Sequence, residues 1–481
     1  MTGRSDSIRS LRTVLLFGLA AFFSAPAFAQ TVAITGGTVA LGDGSEPIQA
    51  GTVVIRNGRI VAAGSGVAVP AGAQLVDASG KWVTPGIVAG FSRVGLLEVD
   101  AVEATNDVQA NNSPFSAAID VAPAINPRAS AISISRASGV TRAVVAPATG
   151  RSIFAGQGAV IDLGADMQPI TRARAFQFVE FGETGANEAG GSRAATFVLF
   201  RNALREARDL SRYSGISSGG GGGGGGGGRT PQASDQRDFQ LEEVPTPNNQ
   251  MLGGSVNRGD DVLLTRFDAA ALVPVLAGRQ LLLVHVERGS DILQVLGLKR
   301  EFPNLRMVLV GATEGWTVAE QIAASGVPVI ANALVDLPAS FEQLAATQSN
   351  FGRMRTAGIN VAMGTINEDE TRQIRVSRQN AGNLVALGKV PGAAGLSWGE
   401  ALAAITSRPA EVLGLGGEIG SLRAGRRADV VIWDGDPLDT TSIPELVMID
   451  GVQQPLDNRQ TRLRDRYRTV SEGQLPKAYD R

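Results

Sequence analysis

Apolar and polar positions alternate along VAITGGTVALGDG, TVVIRNGRIVAAGS and AQLVDASGKWVTPG, between residues 32 and 86. A period of two, broken at Gly, Asn-Gly and Asp-Ala-Ser-Gly, predicts short strands joined by tight turns. Three such pieces are too little sheet to stand alone. The same pattern returns near the other end, in GSLRAGRRADVVIWDGDPLD and ELVMIDGVQQ. One β-sandwich assembled from both ends is therefore predicted, at 30–83 and 409–460, with 461–481 as a tail.

The stretch between them, 84–408, changes period. GVTRAVVAPATG reads as a buried strand and a turn. QLLLVHVERGSDILQVLGLKREF reads as strand, loop and helix, with Ser290 as N-cap and Ile292, Val295, Leu296 and Lys299 at helical spacing. LRMVLVGATEGWTVAEQIAASGVPVIA repeats that plan with a Gly C-cap, and INVAMGT is a further strand. Strands alternating with helices imply parallel pairing and right-handed crossovers. A TIM-like (β/α)8 barrel carrying the small β-sandwich is the α/β architecture expected. Ten consecutive glycines at 219–228 lie in an insertion, 214–250, that cannot build a core and is expected to be a flexible surface loop.

Composition narrows the compartment and the chemistry. Arg4, Arg9 and Arg12 precede the apolar run VLLFGLAAFF and the small-x-small site Ala27-Phe28-Ala29. That order predicts a signal peptide over 1–29, a mature chain beginning near Gln30, and a periplasmic protein. The run is too short to span a bilayer, and no second apolar run is long enough for a membrane span. The formal net charge of -2 among 481 residues gives no electrostatic argument for nucleic acid or an anionic membrane surface. The chain has no Cys, which excludes disulfides and thiolate metal sites, and a single His. P-loop and CxxC motifs are absent.

The order of NGRIVAAG, DASGKWVTPGIV, GVTRAVVAPA, LLLVHVERGSDI and VAEQIAASGVPVI resembles the amidohydrolase superfamily, in its imidazolonepropionase-like and dihydroorotase-like branch. The closing segment, 400–438, resembles it most, through Thr406, Pro409, Ala410, Gly414, Gly420, Gly425, Ala428, Asp429 and Asp436-Pro437. Its Pro-Ala pair is expected to end the last barrel helix. The resemblance implies one or two divalent metals at the barrel mouth, held by His-x-His on the first strand, His on the fifth and sixth, and Asp on the eighth. A metal-bound water then attacks a C–N bond other than a peptide, in a cyclic amide or N-acyl substrate.

Carried over position by position, most of those ligands are replaced. Phe91 and Arg93 stand at the His-x-His positions and Ala89 at the preceding Asp; Gly311 stands on strand six and Ile366 or Asn367 on strand eight. His285 on strand five remains, with Glu287 on the same strand face. His285 and Glu287 are the metal candidates, Zn or Mn, joined at most by Glu98, Asp100, Glu103, Glu314 or, with a shift of register, Glu368, Asp369 and Glu370; the first expectation is no cofactor. Arg93 is a candidate partner of Glu287 or Glu98, or a carboxylate-binding group. Three functions follow: a degenerate hydrolase with weak or no turnover, a hydrolase with a His/Glu single-metal site, or a non-catalytic subunit. The partners to expect are a small molecule and a second subunit, either another copy or an active amidohydrolase paralogue.

Overall fold

The structure is a computed structural model that describes residues 31–99, 102–213, 263–366 and 373–468. The expected signal peptide at 1–29, the insertion at 214–250, Asp100 and positions 367–370 lie outside the described residues. The chain begins with β1 (Thr31–Val39), β2 (Ile48–Arg56), β3 (Arg59–Gly64), β4 (Gln74–Asp77) and β5 (Trp82–Pro85). The second sheet follows: β6 (Ile87–Ser92), β7 (Val140–Val145), β8 (Phe154–Asp162), β9 (Ile170–Glu180), β10 (Leu281–Val286), β11 (Arg306–Gly311), β12 (Val329–Ala331) and β13 (Val361–Met363). The chain then returns to the first sheet as β14 (Val430–Trp433), β15 (Pro444–Ile449) and β16 (Val452–Gln453).

The first sheet runs β16-β15-β14-β5-β1-β2-β3, with β4 also on β1. Both predicted ends thus meet in it. Its two tightest hairpins turn at Asn57-Gly58 and Asp450-Gly451, all four residues at positive φ, as a two-residue turn matched to strand twist requires. The strands form one hydrogen-bonded sheet rather than two separate layers. The reason lies in β1, which pairs with β4 through residues 32–35 and with β5 through 38–39. Gly36, at φ +80, carries the bend between the two pairings. The sheet curls so that Ile34, Val53, Ile55, Val430 and Ile432 share one core.

The second sheet runs in sequence order from β6 to β13 and closes on itself. The Thr365 N–H and hydroxyl both donate to the Phe91 carbonyl, at 3.2 and 2.9 Å, joining the last strand to the first. A Cβ at Gly90 would lie 2.4 Å from the Met363 carbonyl oxygen, so this approach requires glycine. The barrel departs from strict (β/α)8 alternation at β8, which runs antiparallel to β7 and β9. Its connections, 146–153 and 163–169, are shorter than the dozen or so residues a parallel crossover needs. Phe91, Val144, Val160, Phe178, Leu283 and Val310 pack its interior as a solid core.

Three local expectations are corrected. Pro409-Ala410 does not end the last barrel helix, Trp398–Ala404; it lies inside the next one, Ser407–Val412. Proline is tolerated there because first-turn N–H groups have no intrahelical partner. Ser290 is inside the helix Gly289–Glu301 rather than capping it; the Glu314 carboxylate accepts the Gly289 N–H at 3.0 Å and does that work. The tail expected from 461 is helical over Arg459–Arg468.

Arg142 of β7 ties the barrel to the first sheet. Its buried guanidinium makes two bonds to Asp429, at 2.8 and 3.0 Å, and reaches Asp450 at 2.9 Å and Asp162 at 3.6 Å. Burial pushes the Asp162 carboxyl up to about 6, against the pull of Arg142. A raised carboxyl binds its proton more tightly when folded. Its stabilisation is full below the ordinary 3.8 and is lost as pH rises through about 6. Asp162→Asn is therefore expected to match the parent below pH 4 and to exceed its unfolding free energy by about 2 kcal/mol at pH 7. Urea unfolding at the two pH values checks this; equal stability at both would contradict it.

Candidate functional site

Parallel pairing of β9 and β10 sets His285 opposite Glu180. Both continue the interior faces that Phe176 and Phe178, and Leu281 and Leu283, occupy lower in the barrel. The two side chains therefore meet at the mouth. His285 Nδ1 lies 2.5 Å from Glu180 Oε2, and Nε2 lies 3.2 Å from Glu287 Oε1. Glu287 Oε2 accepts the Thr313 N–H at 2.7 Å. Both carboxylates are buried, at 6% and 3% exposure.

The electrostatics of this row are strongly coupled. Burial pulls His285 toward the neutral form, but the Glu180 and Glu287 carboxylates outweigh it and hold its pKa well above the usual 6.5. Burial pushes Glu287 up, and His285 and the Thr313 donors outweigh that, holding it below the usual carboxylate range. An imidazolium that donates through both nitrogens has no lone pair to offer a metal. A catalytic zinc needs three protein ligands and an open position. Among the described residues, no three or more His, Cys, Asp or Glu side chains are placed to hold a metal ion.

A second layer of charge surrounds the row. Glu342 accepts the Glu183 N–H at 2.7 Å and an Arg193 bond at 3.2 Å. Arg193 and Arg288 both bind Asp291, at 2.9 and 2.7 Å. Burial raises the pKa of Glu342, and burial with the nearby Glu180 charge raises that of Glu188. A cavity of about 360 Å³ lies beside this layer, lined among others by Phe115, Ile119, Arg151, Phe154, Glu188 and Leu199. One lining residue, Ile153, accepts the Glu180 N–H at its carbonyl at 2.8 Å.

The residues singled out in the sequence separate into two groups. His285 and Glu287 come together, joined by Glu180. An acid closing the apolar run AFQFVE was the signal for Glu180, but no local pattern says that it faces His285. Gly311 is bound to the same cluster in another way: at φ +92, its Cβ would lie 2.5 Å from Glu287 Oε1, so the carboxylate occupies the room a side chain there would need. The others lie apart. Phe91 packs inside the barrel against Phe178, ring centroids 5.3 Å apart. Ile366 packs on the same interior cluster. Glu98 accepts the Ser130 N–H, Glu103 lies in an exposed turn, and Glu314 caps a helix and accepts the Ala345 N–H. Glu287 is bound to His285 and the Thr313 N–H, and Glu98 to the Ser130 N–H.

With this geometry in view, the likenesses to known proteins are informative. Residues 316–453 match the family model described as the amidohydrolase family. The chain is 47% identical over 60 residues to amidohydrolase tasK of Hapsidospora irregularis, a match covering 12% of this chain and 6% of that one. It is 36% identical over 124 residues to an imidazolonepropionase of Acidiphilium cryptum, covering 25% and 29%. The chain thus spans under a third of the length of these curated relatives. In fold it is similar to an amidohydrolase from Thermotoga maritima MSB8, with a TM-score of 0.70 and 22% identity over 88% of this chain and 99% of that one. The matched family model and the imidazolonepropionase relative thus liken part of this chain to amidohydrolases, and its barrel joined to a sheet from both chain ends has the fold of the Thermotoga maritima protein.

Proposed function

We propose that this protein is an exported member of the superfamily with a degenerate metal site, in which hydrolysis of non-peptide C–N bonds is weak or lost. One observation carries the reading: the chain's single histidine is held between Glu180 and Glu287, at 2.5 and 3.2 Å. In that setting the imidazole serves as a buried cation joining the mouths of the fourth, fifth and sixth strands. The Glu180 carboxylate binds it, and the Glu287 carboxylate binds both it and the Thr313 amide. Gly311 on the sixth strand and Phe91 on the first supply no replacement donor. The cavity beside Glu188 and Arg151 remains for a small molecule. Export rests on the basic and apolar N-terminal segment.

Metal analysis and proton NMR of the mature protein, prepared without chelator, test this together. The expected result is below about a tenth of an equivalent of Zn or Mn. The lone imidazole is expected to stay protonated well past pH 6.5, with a chain mass that begins near Gln30. Near one equivalent of metal, with an imidazole neutral at pH 7, would overturn the degenerate-site reading.

A further inference from the structure

The helix Arg459–Arg468 buries no side chain. Its start is well anchored: Asn458 Oδ1 accepts the Gln460 and Thr461 N–H groups, and Arg136 donates to the Pro455 carbonyl just before it. Beyond that anchor, no described residue buries a face of the helix. Short helices are marginal in water, and most helical stability in proteins comes from such a face. Leu463 and Tyr467, one turn apart, are instead 40% and 67% exposed.

The charge of this helix runs against that of the chain. RQTRLRDRYR holds arginines at 459, 462, 464, 466 and 468 against the single Asp465, in a chain of net charge -2. Arg462 is bound to Asp457 and Arg464 to Asp465. Arg459, Arg466 and Arg468 form no ion pair with another described residue. Cations flanking an apolar pair on a surface helix match the boundary between anionic headgroups and acyl chains. A nucleic acid would satisfy the arginines but leave Leu463 without a partner. The helix follows the anchor at Arg136, which precedes β7, so it lies at the barrel end opposite His285.

We propose that this helix docks the protein on an anionic lipid surface. Arg459, Arg466 and Arg468 face lipid phosphates, and Leu463 and Tyr467 enter the interface, leaving the barrel mouth open.

Cosedimentation of the full mature chain with phosphatidylcholine vesicles, with and without phosphatidylglycerol, tests this. Binding is expected only to the anionic vesicles and is expected to fall as salt rises. R459E/R466E/R468E should lose roughly tenfold or more in affinity, on the basis of a few-fold per basic residue. L463S/Y467S should lose several-fold with the charge unchanged. All five positions are exposed, so circular dichroism should show the parent fold in both variants. Failure to bind anionic vesicles would overturn the proposal. So would equal binding to DNA with L463S/Y467S unaffected, which would mark a general polyanion site.

Discussion

Arg142→Met is expected to lower the unfolding free energy by about 3–5 kcal/mol at neutral pH, the usual cost of removing one partner of a buried ion pair. Arg142 is 0% exposed and is the cation shared by Asp429, Asp450 and Asp162. Methionine fills much of the volume but leaves Asp429, itself 3% exposed, without its bidentate partner. The loss should shrink as the solution is acidified, because the stranded carboxylates can then take up protons. R142M/D429N should recover part of it, since one uncompensated charge is removed. Urea unfolding of the three proteins measures all of this. A loss below about 1 kcal/mol for R142M would mean that water reaches the acids.

Gly311→Ala is expected to cost about 2–5 kcal/mol, from positive-φ strain together with overpacking. The methyl group would be placed against a carboxylate that His285 and the Thr313 N–H hold in position. The two contributions separate in a double-mutant cycle with Glu287→Ala. Removing the carboxylate relieves the contact but not the strain, so the pair should be less than additive by at least about 1 kcal/mol. Strict additivity would show that Glu287 does not fill the Gly311 side-chain space. The same geometry predicts that G311H, which puts on the sixth strand the histidine that the amidohydrolase resemblance implies, confers no metal uptake while Glu287 is present.

Local pattern made much of this protein legible. Alternation and turn residues located β1 to β5 and β14 to β16, because a strand's period and a hairpin's Asn-Gly or Asp-Gly are written within about ten neighbouring residues. The amidohydrolase resemblance set His285, Gly311 and Ile366 on or just beyond the fifth, sixth and eighth barrel strands, and the sheet order has them there. The residue types at those positions already argued against a full set of metal ligands.

What the local pattern could not determine was which distant residues meet. Glu180 and His285 are 105 positions apart and touch only because parallel register sets them opposite each other. Arg142 and Asp429 are 287 apart and pair only because the last part of the chain returns to the first. The fit of Glu287 into the space beside Gly311 depends on the φ of one residue and the register of two strands. Local periodicity fixes which face a side chain takes, whereas its partner is decided by register and closure, which exist only once the barrel has formed.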